Sequence, residues 1–352
     1  MESKLESTQE LRRRVDQHRQ AHPKARQRDV ALTLGVAEEQ LVALDCGAGA
    51  TRLRGPWPEW VAALEGLGRL TALTRNEHCV IEHRGLYRRT SFHGTVGQVL
   101  GDGVDLRLFT RNWGSAYAVL DRSVRPERRS LQVFDREGNA VHKVFLDEWS
   151  DAIGFGHLAQ DFADPNQDPT CSPLDPREAS RGAGSVRSEE HLSRLFDRWA
   201  GLRDPHEFTA MLCDLELGRR AAVRAVEGVH SRPVLRTAAS YLLRRVTELG
   251  QVVMVFVGNP GAIQIHTGTV QRLAETPPWF NVLDPEFNLH LRESAIEEAW
   301  VVEKPTHHGG VTSLEIYADA EDAVALFFSK RGDRDPEATW WRELMVEIPG
   351  AR

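Results

Sequence analysis

Cysteine is scarce: four among 352 residues, at Cys46, Cys79, Cys171 and Cys213. They are far apart and form no CxxC, so the sequence indicates neither a zinc site nor a disulfide framework. No apolar run approaches the roughly 20 residues of a membrane helix. The charged opening MESKLESTQELRRRVDQ lacks the apolar stretch of a secretory signal. Walker loops, GxGxxG, HExxH and GxSxG are missing, which removes the common nucleotide, metalloprotease and hydrolase signatures. An excess of positive charge is missing too. The 44 Lys and Arg against 51 Asp and Glu give −7, which argues against wholesale nucleic-acid wrapping. What is left is a cytoplasmic chain without membrane insertion, long enough for two domains of about 150 residues each.

The stretch QDFADPNQDPTCSPLDPREASRGAGSVRSEE (160–190) is rich in Pro, Asp and Ser and has no apolar period. It reads as a linker over 161–190, between an N-terminal repeat (1–160) and a C-terminal repeat (191–352). The two sides are related. Shifting 75–145 by 183 lays it on 258–328 without a gap. Identities include Asn76/Asn259, His83/His266, Gly85/Gly268, Leu106/Leu289, Leu108/Leu291, Ser130/Ser313 and Phe145/Phe328. In all, 15 of 71 positions match, against roughly four or five expected by chance at one offset.

Each repeat reads as helices followed by an antiparallel meander, an α+β class with internal duplication. In the second half, 233–249 has helical period, with Pro233 early and Gly250 as the stop. VVMVFVG (252–258) reads as a buried strand. FNLHL (287–291), AWVVEK (299–304), TSLEIYA (312–318) and AVALFFS (323–329) alternate like strands with one covered face. The loop ADAED makes a tight hairpin. In DPEATWWRELMVEI (335–348) an Asp cap and a Pro at the first position open a last helix.

Several segments could carry chemistry. HTGTV and HHGG are glycine-adjacent histidines without metal-ligand spacing. Residues 29–45 have helix-turn-helix spacing, but Glu38, Glu39 and Asp45 on the second helix would repel phosphates, so a helical hairpin is the better reading. Asp204-Pro205-His206-Glu207-Phe208 reads as a helix start, with His206 in its first turn. The helix dipole there disfavours imidazolium, leaving His206 free to ligate a metal or simply exposed. Arg107 in DLRLF and its repeat mate His290 in FNLHL are polar residues at the centres of apolar strands. Such residues need a partner or a ligand, although an arginine can also snorkel to the edge. Arg219, Lys304 and Arg331 are unremarkable cations taken singly.

Taken together, MVFVGNPGAIQIHTG (254–268), WFNVLDPEFNLHL (279–291), ESAIEEAWVVEKPT (293–306) and VTSLEIYA (311–318) closely resemble the cytoplasmic haem-utilisation, haemin-degrading proteins of the HemS, ChuS and PhuS type. TRNEHCV (74–80), VDLRLFTRNW (104–113) and RRSLQVFD (128–135) match in the same order, and the resemblance covers about 20–350. It implies non-covalent haem b in a cleft between helix and sheet, with His206 as the axial iron ligand. Arg107 is implied as the distal group acting at the sixth iron position, with His290 near the cleft as a second catalytic candidate. Arg219, Lys304 and Arg331 are implied as propionate-binding cations. Phe328 stands where relatives carry a propionate-holding tyrosine, Lys330 where they carry glutamine, and Ile81 where some carry a histidine in the N-terminal half. The propionate end then relies on charge more than on a phenol hydrogen bond.

The resemblance implies a protein that accepts imported haem from an inner-membrane importer, takes electrons from an external donor, and opens the porphyrin to release iron. Its rival is a carrier that passes haem to a separate oxygenase. A DNA-binding regulator acting through 29–45 is the weakest reading, and no nucleic-acid partner is expected. One haem per chain is expected, because shifting His206 back by 183 gives Pro23.

Overall fold

The computed structural model describes residues 7–122, 126–170, 184–307, 309–332 and 335–351. Part of the expected linker, 171–183 with Cys171, lies outside the described residues. Helices α1 (Thr8–Ala21), α2 (Gln27–Leu34) and α3 (Glu38–Ala43) come first, then β1 (Ala50–Leu53) and α4 (Trp57–Ala63). A meander follows: β2 (Gly68–Arg75), β3 (Cys79–Leu86), β4 (Ser91–His93), β5 (Val96–Leu100) and β6 (Asp105–Phe109). It continues with β7 (Trp113–Asp121), β8 (Arg128–Asp135) and β9 (Ala140–Ser150), and α5 (Ala152–Asp161) ends this part.

The later part opens with α6 (Glu189–Ala200), α7 (Glu207–Asp214) and α8 (Arg219–Ala225), then β10 (Ser231–Val234) and α9 (Ala238–Leu249). Its meander is β11 (Val253–Asn259), β12 (Ala262–Gly268), β13 (Leu273–Thr276), β14 (Trp279–Leu283) and β15 (Phe287–Leu291). The remaining elements are β16 (Glu298–Lys304), β17 (Val311–Tyr317), β18 (Ala325–Ser329) and α10 (Thr339–Glu347).

Two nine-stranded sheets result. One has the order β1-β7-β8-β9-β2-β3-β15-β14-β13, the other β10-β16-β17-β18-β11-β12-β6-β5-β4. The orders are the same once each strand is replaced by its counterpart; β14, for example, covers the β5 positions plus 183. The chain divides into two compact units that do not follow one cut in sequence. Unit 1 is 1–74, 83–177 and 259–263; unit 2 is 75–82, 178–258 and 264–352.

Within unit 2 the sheet is covered on both faces. Leu242, Leu243 and Val246 of α9 and Trp341, Leu344 and Met345 of α10 pack on Val253, Val255, Leu314, Ile316 and Phe327. On the other face Leu195, Trp199, Phe208, Met211, Ala222 and Val223 of α6–α8 pack on Trp300, Val302 and Tyr317. β17 is therefore buried on nearly every residue, not on one face as its alternation suggests. In unit 1, Trp60, Phe155 and Leu158 cover Leu70, Ala72, Leu131 and Val144. There Val42 and Ala43 of α3 reach Tyr117 and Phe134 on the opposite face.

Three helix boundaries differ from the sequence reading. Pro233 sits in β10, and α9 begins only at Ala238, although Gly250 at φ 60° ends it as expected. The last helix begins at Thr339, not after Asp335, and Glu337 takes the amide and hydroxyl of Thr312. At α7, His206 is the N-cap and the helix starts at Glu207, two residues later than an Asp cap at 204 would give. The hairpin α2–α3 forms around Gly35 at φ 67°, but Glu38 and Glu39 turn inward, to Lys143 and to the Tyr117 hydroxyl.

Candidate functional site

The His206 loop is built by Asp204. Its Oδ1 accepts from the His206 amide at 2.9 Å and contacts the ring Nδ1 at 2.6 Å. A carboxylate only accepts, so Nδ1 carries the proton, and in the neutral ring the lone pair is on Nε2. The side chain is 95% exposed. The Asp204 carboxylate lies against the ring as a counter-charge at the start of the helix. The hydrogen bond from the His206 amide chiefly, helped by the His206 and Arg331 charges, holds the Asp204 carboxyl below the usual range. Arg331, two residues past β18, thus lies within electrostatic reach of the His206 loop.

Phe208, two residues after His206, lies under two cations: Arg219 Cζ is 4.9 Å and Lys304 Nζ 4.6 Å from its ring centre. Both cations are committed to Glu315, which has no solvent exposure. Glu315 accepts from Arg219 twice at 2.8 Å, from Lys304 at 2.7 Å, from Ser313 at 2.9 Å and from Tyr317 at 2.6 Å. Burial alone would raise the Glu315 carboxyl, but Arg219 and Lys304 overrule it and hold it well below the usual range. Burial, together with the nearby Arg219 charge, pushes Lys304 down to about 8 against the opposing pull of Glu315. Two cations on one carboxylate leave a net positive charge here. The resemblance implies Arg219 and Lys304 as propionate-binding cations; Arg219 is mostly buried and Lys304 only 3% exposed, both against Glu315.

Register extends this cluster across the sheet. Trp300 pairs with Glu315, Glu315 with Leu326, and Leu326 with Phe256, so one row crosses β16, β17, β18 and β11. Trp300 and Glu315 are buried, whereas Leu326 and Phe256 are half-buried. In the next row Met254 pairs with Phe328, whose ring stands edge-on to Phe256 at 5.2 Å. The result is a half-open apolar strip of Met254, Phe256, Leu326 and Phe328 beside the positive cluster. Phe328 was expected in the site; Glu315, Phe208 and the other three strip residues were not. Glu315 had a signal, as a lone charge inside TSLEIYA, the pattern that drew attention to Arg107.

The corresponding row of unit 1 is Tyr117, Gln132, Lys143, Leu73. Each is its counterpart minus 183, and Lys143 replaces Leu326. Lys143 is nearly buried in an ion pair with Glu38. Ile81 is fully buried in core.

The two remaining candidates stand on β15 and β6. His290 on β15 points away from the buried Leu289 and Leu291, with its Nδ1 2.7 Å from the Oδ1 of its cross-strand partner Asn281. Arg107 belongs to unit 1, faces away from Leu106 and Leu108, and pairs with Asp105. His206, Arg219, Lys304, His290, Phe328 and Arg331 all belong to unit 2. Among the described residues no helix is long and apolar enough to cross a membrane.

Comparison with known proteins adds an independent line. The family model described as the haemin-degrading HemS.ChuX domain matches residues 35–162 and 216–348. The chain is 33% identical over 329 residues to the hemin transport protein HmuS of Yersinia pestis, covering 93% of this chain and 94% of that one. It is similar to holo-PhuS, a heme-binding protein from Pseudomonas aeruginosa, with TM-score 0.94 and 38% identity over 98% of this chain and all of that one. It is also similar to the heme-degrading enzyme ChuS of Escherichia coli O157:H7, with TM-score 0.90 and 30% identity over 97% of this chain and all of that one.

Proposed function

The chain belongs to the haemin-degrading HemS/ChuX family, and from that premise we propose that it binds haem as substrate on unit 2 and opens the porphyrin to release iron. The observation that carries this reading is the apolar strip of Met254, Phe256, Leu326 and Phe328 beside a net positive cluster. A flat, hydrophobic dianion needs an apolar wall, an imidazole and cations near its edge.

His206, with Nδ1 held by Asp204, offers Nε2 to the haem iron as a non-covalent axial ligand. Arg331 meets a propionate directly, while Arg219 and Lys304 act through the field they leave after neutralising Glu315. Phe328 contributes wall area and no hydrogen bond. Arg107 is the candidate that the family resemblance implies for hydrogen bonding to an iron-bound ligand, and His290 has a supporting role. The repeat is read as a duplication in which Lys143 and Glu38 fill the second copy of the site, so one haem binds per chain. Haem arrives from an inner-membrane importer, and the electrons come from an external donor in the cytoplasm.

The name of HmuS supports a second reading, transport, and that of ChuS supports degradation. Single-turnover spectroscopy of the haemin complex with ascorbate, and catalase to remove peroxide, separates them. Loss of the Soret band with a bilin-like absorbance and chelatable iron is expected. A Soret band that persists under these conditions would replace the enzyme with a carrier. Failure to bind haemin would end both readings.

A further inference from the structure

We infer that Glu77, His78 and Asp319 bind a divalent first-row transition ion. His78 stands in the turn between β2 and β3 with its ring 12% exposed. Both ring nitrogens are buried without a hydrogen-bond partner. Nε2 lies 3.6 Å from Asp319 Oδ1 and 4.0 Å from Glu77 Oε2, and the three donor atoms cluster within 4.8 Å of one another. Both carboxylates are mostly exposed. Metal–nitrogen and metal–oxygen bonds of about 2.1 Å at a tetrahedral angle put ligand atoms roughly 3.4 Å apart. The two histidine distances therefore need to close by only about 0.2 and 0.6 Å, and the carboxylate pair by up to about 1.4 Å, through the exposed Glu77 and Asp319 side chains.

The turn is held in advance. Asn76 Oδ1 accepts from the His78 and Cys79 amides, while Nδ2 donates to the carbonyls of Gly258 and Val324. The last bond ties the turn to the β17–β18 loop that carries Asp319. A second observation comes from the counterpart turn. There Asn259 Oδ1 accepts from the Gly261 and Ala262 amides, and Nδ2 donates to the Val141 carbonyl. That turn places Pro260 and Gly261 where the first has Glu77 and His78, and Arg136 where the first has Asp319. The backbone scaffold is common to both, so it does not require His78. The donor set occurs in one copy alone.

One imidazole and two carboxylates suit Zn2+, Fe2+, Mn2+ or Co2+ more than copper(I), which prefers sulfur. The site needs no haem, so its test is independent of the proposed function. His18 on α1 and His22 at its C-cap, with ring centres 4.7 Å apart, would also take metal. The test therefore uses haem-free protein carrying His18→Ala. Calorimetric titration with Zn2+ and visible spectroscopy with Co2+ are expected to show a site that His78→Gly, the residue of the counterpart turn, weakens by at least about tenfold. Asp319→Asn, on an exposed loop, is expected to weaken it too and covers any cost of glycine to the fold. Zn2+ affinity and stoichiometry unchanged by His78→Gly and by Asp319→Asn would overturn the proposal. So would a parent protein that binds no Zn2+, leaving a histidine–carboxylate ion pair only.

Discussion

At Glu315 a carboxylate with no access to water meets five donor atoms from four side chains. Removing one partner of such a cluster leaves charge buried and unpaired, at a cost of about 3–5 kcal/mol. Glu315→Gln should therefore lower stability by that order in urea unfolding. Lys304 sets a pH dependence. Its folded value is about 8, below the ordinary 10.5. Between these values the unfolded chain holds a proton that the folded chain has released, so stability rises with pH across that window, by up to about 1.4 kcal/mol per pH unit. Below about pH 8 both states are protonated and the cost of burying the cation is constant. Lys304→Met should remove that part of the slope, read as the difference between variant and parent. His206 is the opposite case. Its side chain is exposed and fills no cavity, so His206→Ala should leave apo-protein melting within about 0.5 kcal/mol of wild type. Its Soret band should shift and its haemin retention weaken. A wild-type Soret maximum would move the ligand role elsewhere, with His290 next to test.

Strand rows carry the proposed location of the site. Trp300, Glu315, Leu326 and Phe256 share a row whose unit 1 counterpart differs most at Lys143. Leu326→Lys writes that difference into unit 2 at a half-buried position where the stem can reach water. Haemin affinity should fall at least about tenfold, since a desolvated ammonium against the porphyrin costs more than the roughly 1.4 kcal/mol of one decade, while circular dichroism stays unchanged. At this scale much was legible. FNLHL marks a strand because apolar residues recur every second position, and AWVVEK and AVALFFS because short apolar runs rich in β-branched and aromatic residues suit buried strands. Gly250 marks a helix end because the left-handed conformation suits glycine. The two-sided burial of TSLEIYA was not legible, since alternation does not reveal that α6–α8 cover its second face. The start of α7 was missed for a local reason. Asp204 accepts from the His206 amide as a cap does, but the backbone there closes i→i+3 turns, Glu207 to Asp204 and Phe208 to Pro205, before the α-helix begins. The commitment of Arg219 and Lys304 to Glu315 depends on pairings 96 and 11 residues apart, which no local pattern carries.

The two sheets have the same strand order, and each draws strands from both halves of the sequence. The offset of 183 made the counterpart strands legible. The exchange of β4–β6 and β13–β15 between sheets was not, because periodicity is silent about which distant strand completes a sheet. Two similar units do not make two equivalent sites. Unit 2 presents Leu326 and the His206 loop, whereas unit 1 has Lys143 paired with Glu38. The most direct test is a haemin titration of the full chain at the Soret band, run in parallel on wild type, Leu326→Lys and Lys143→Leu. Saturation at one equivalent is predicted for wild type, with loss of that equivalent in Leu326→Lys and no loss in Lys143→Leu. Saturation of wild type at two equivalents, or an equivalent that survives Leu326→Lys and disappears in Lys143→Leu, would contradict a single haem site on the sheet of unit 2.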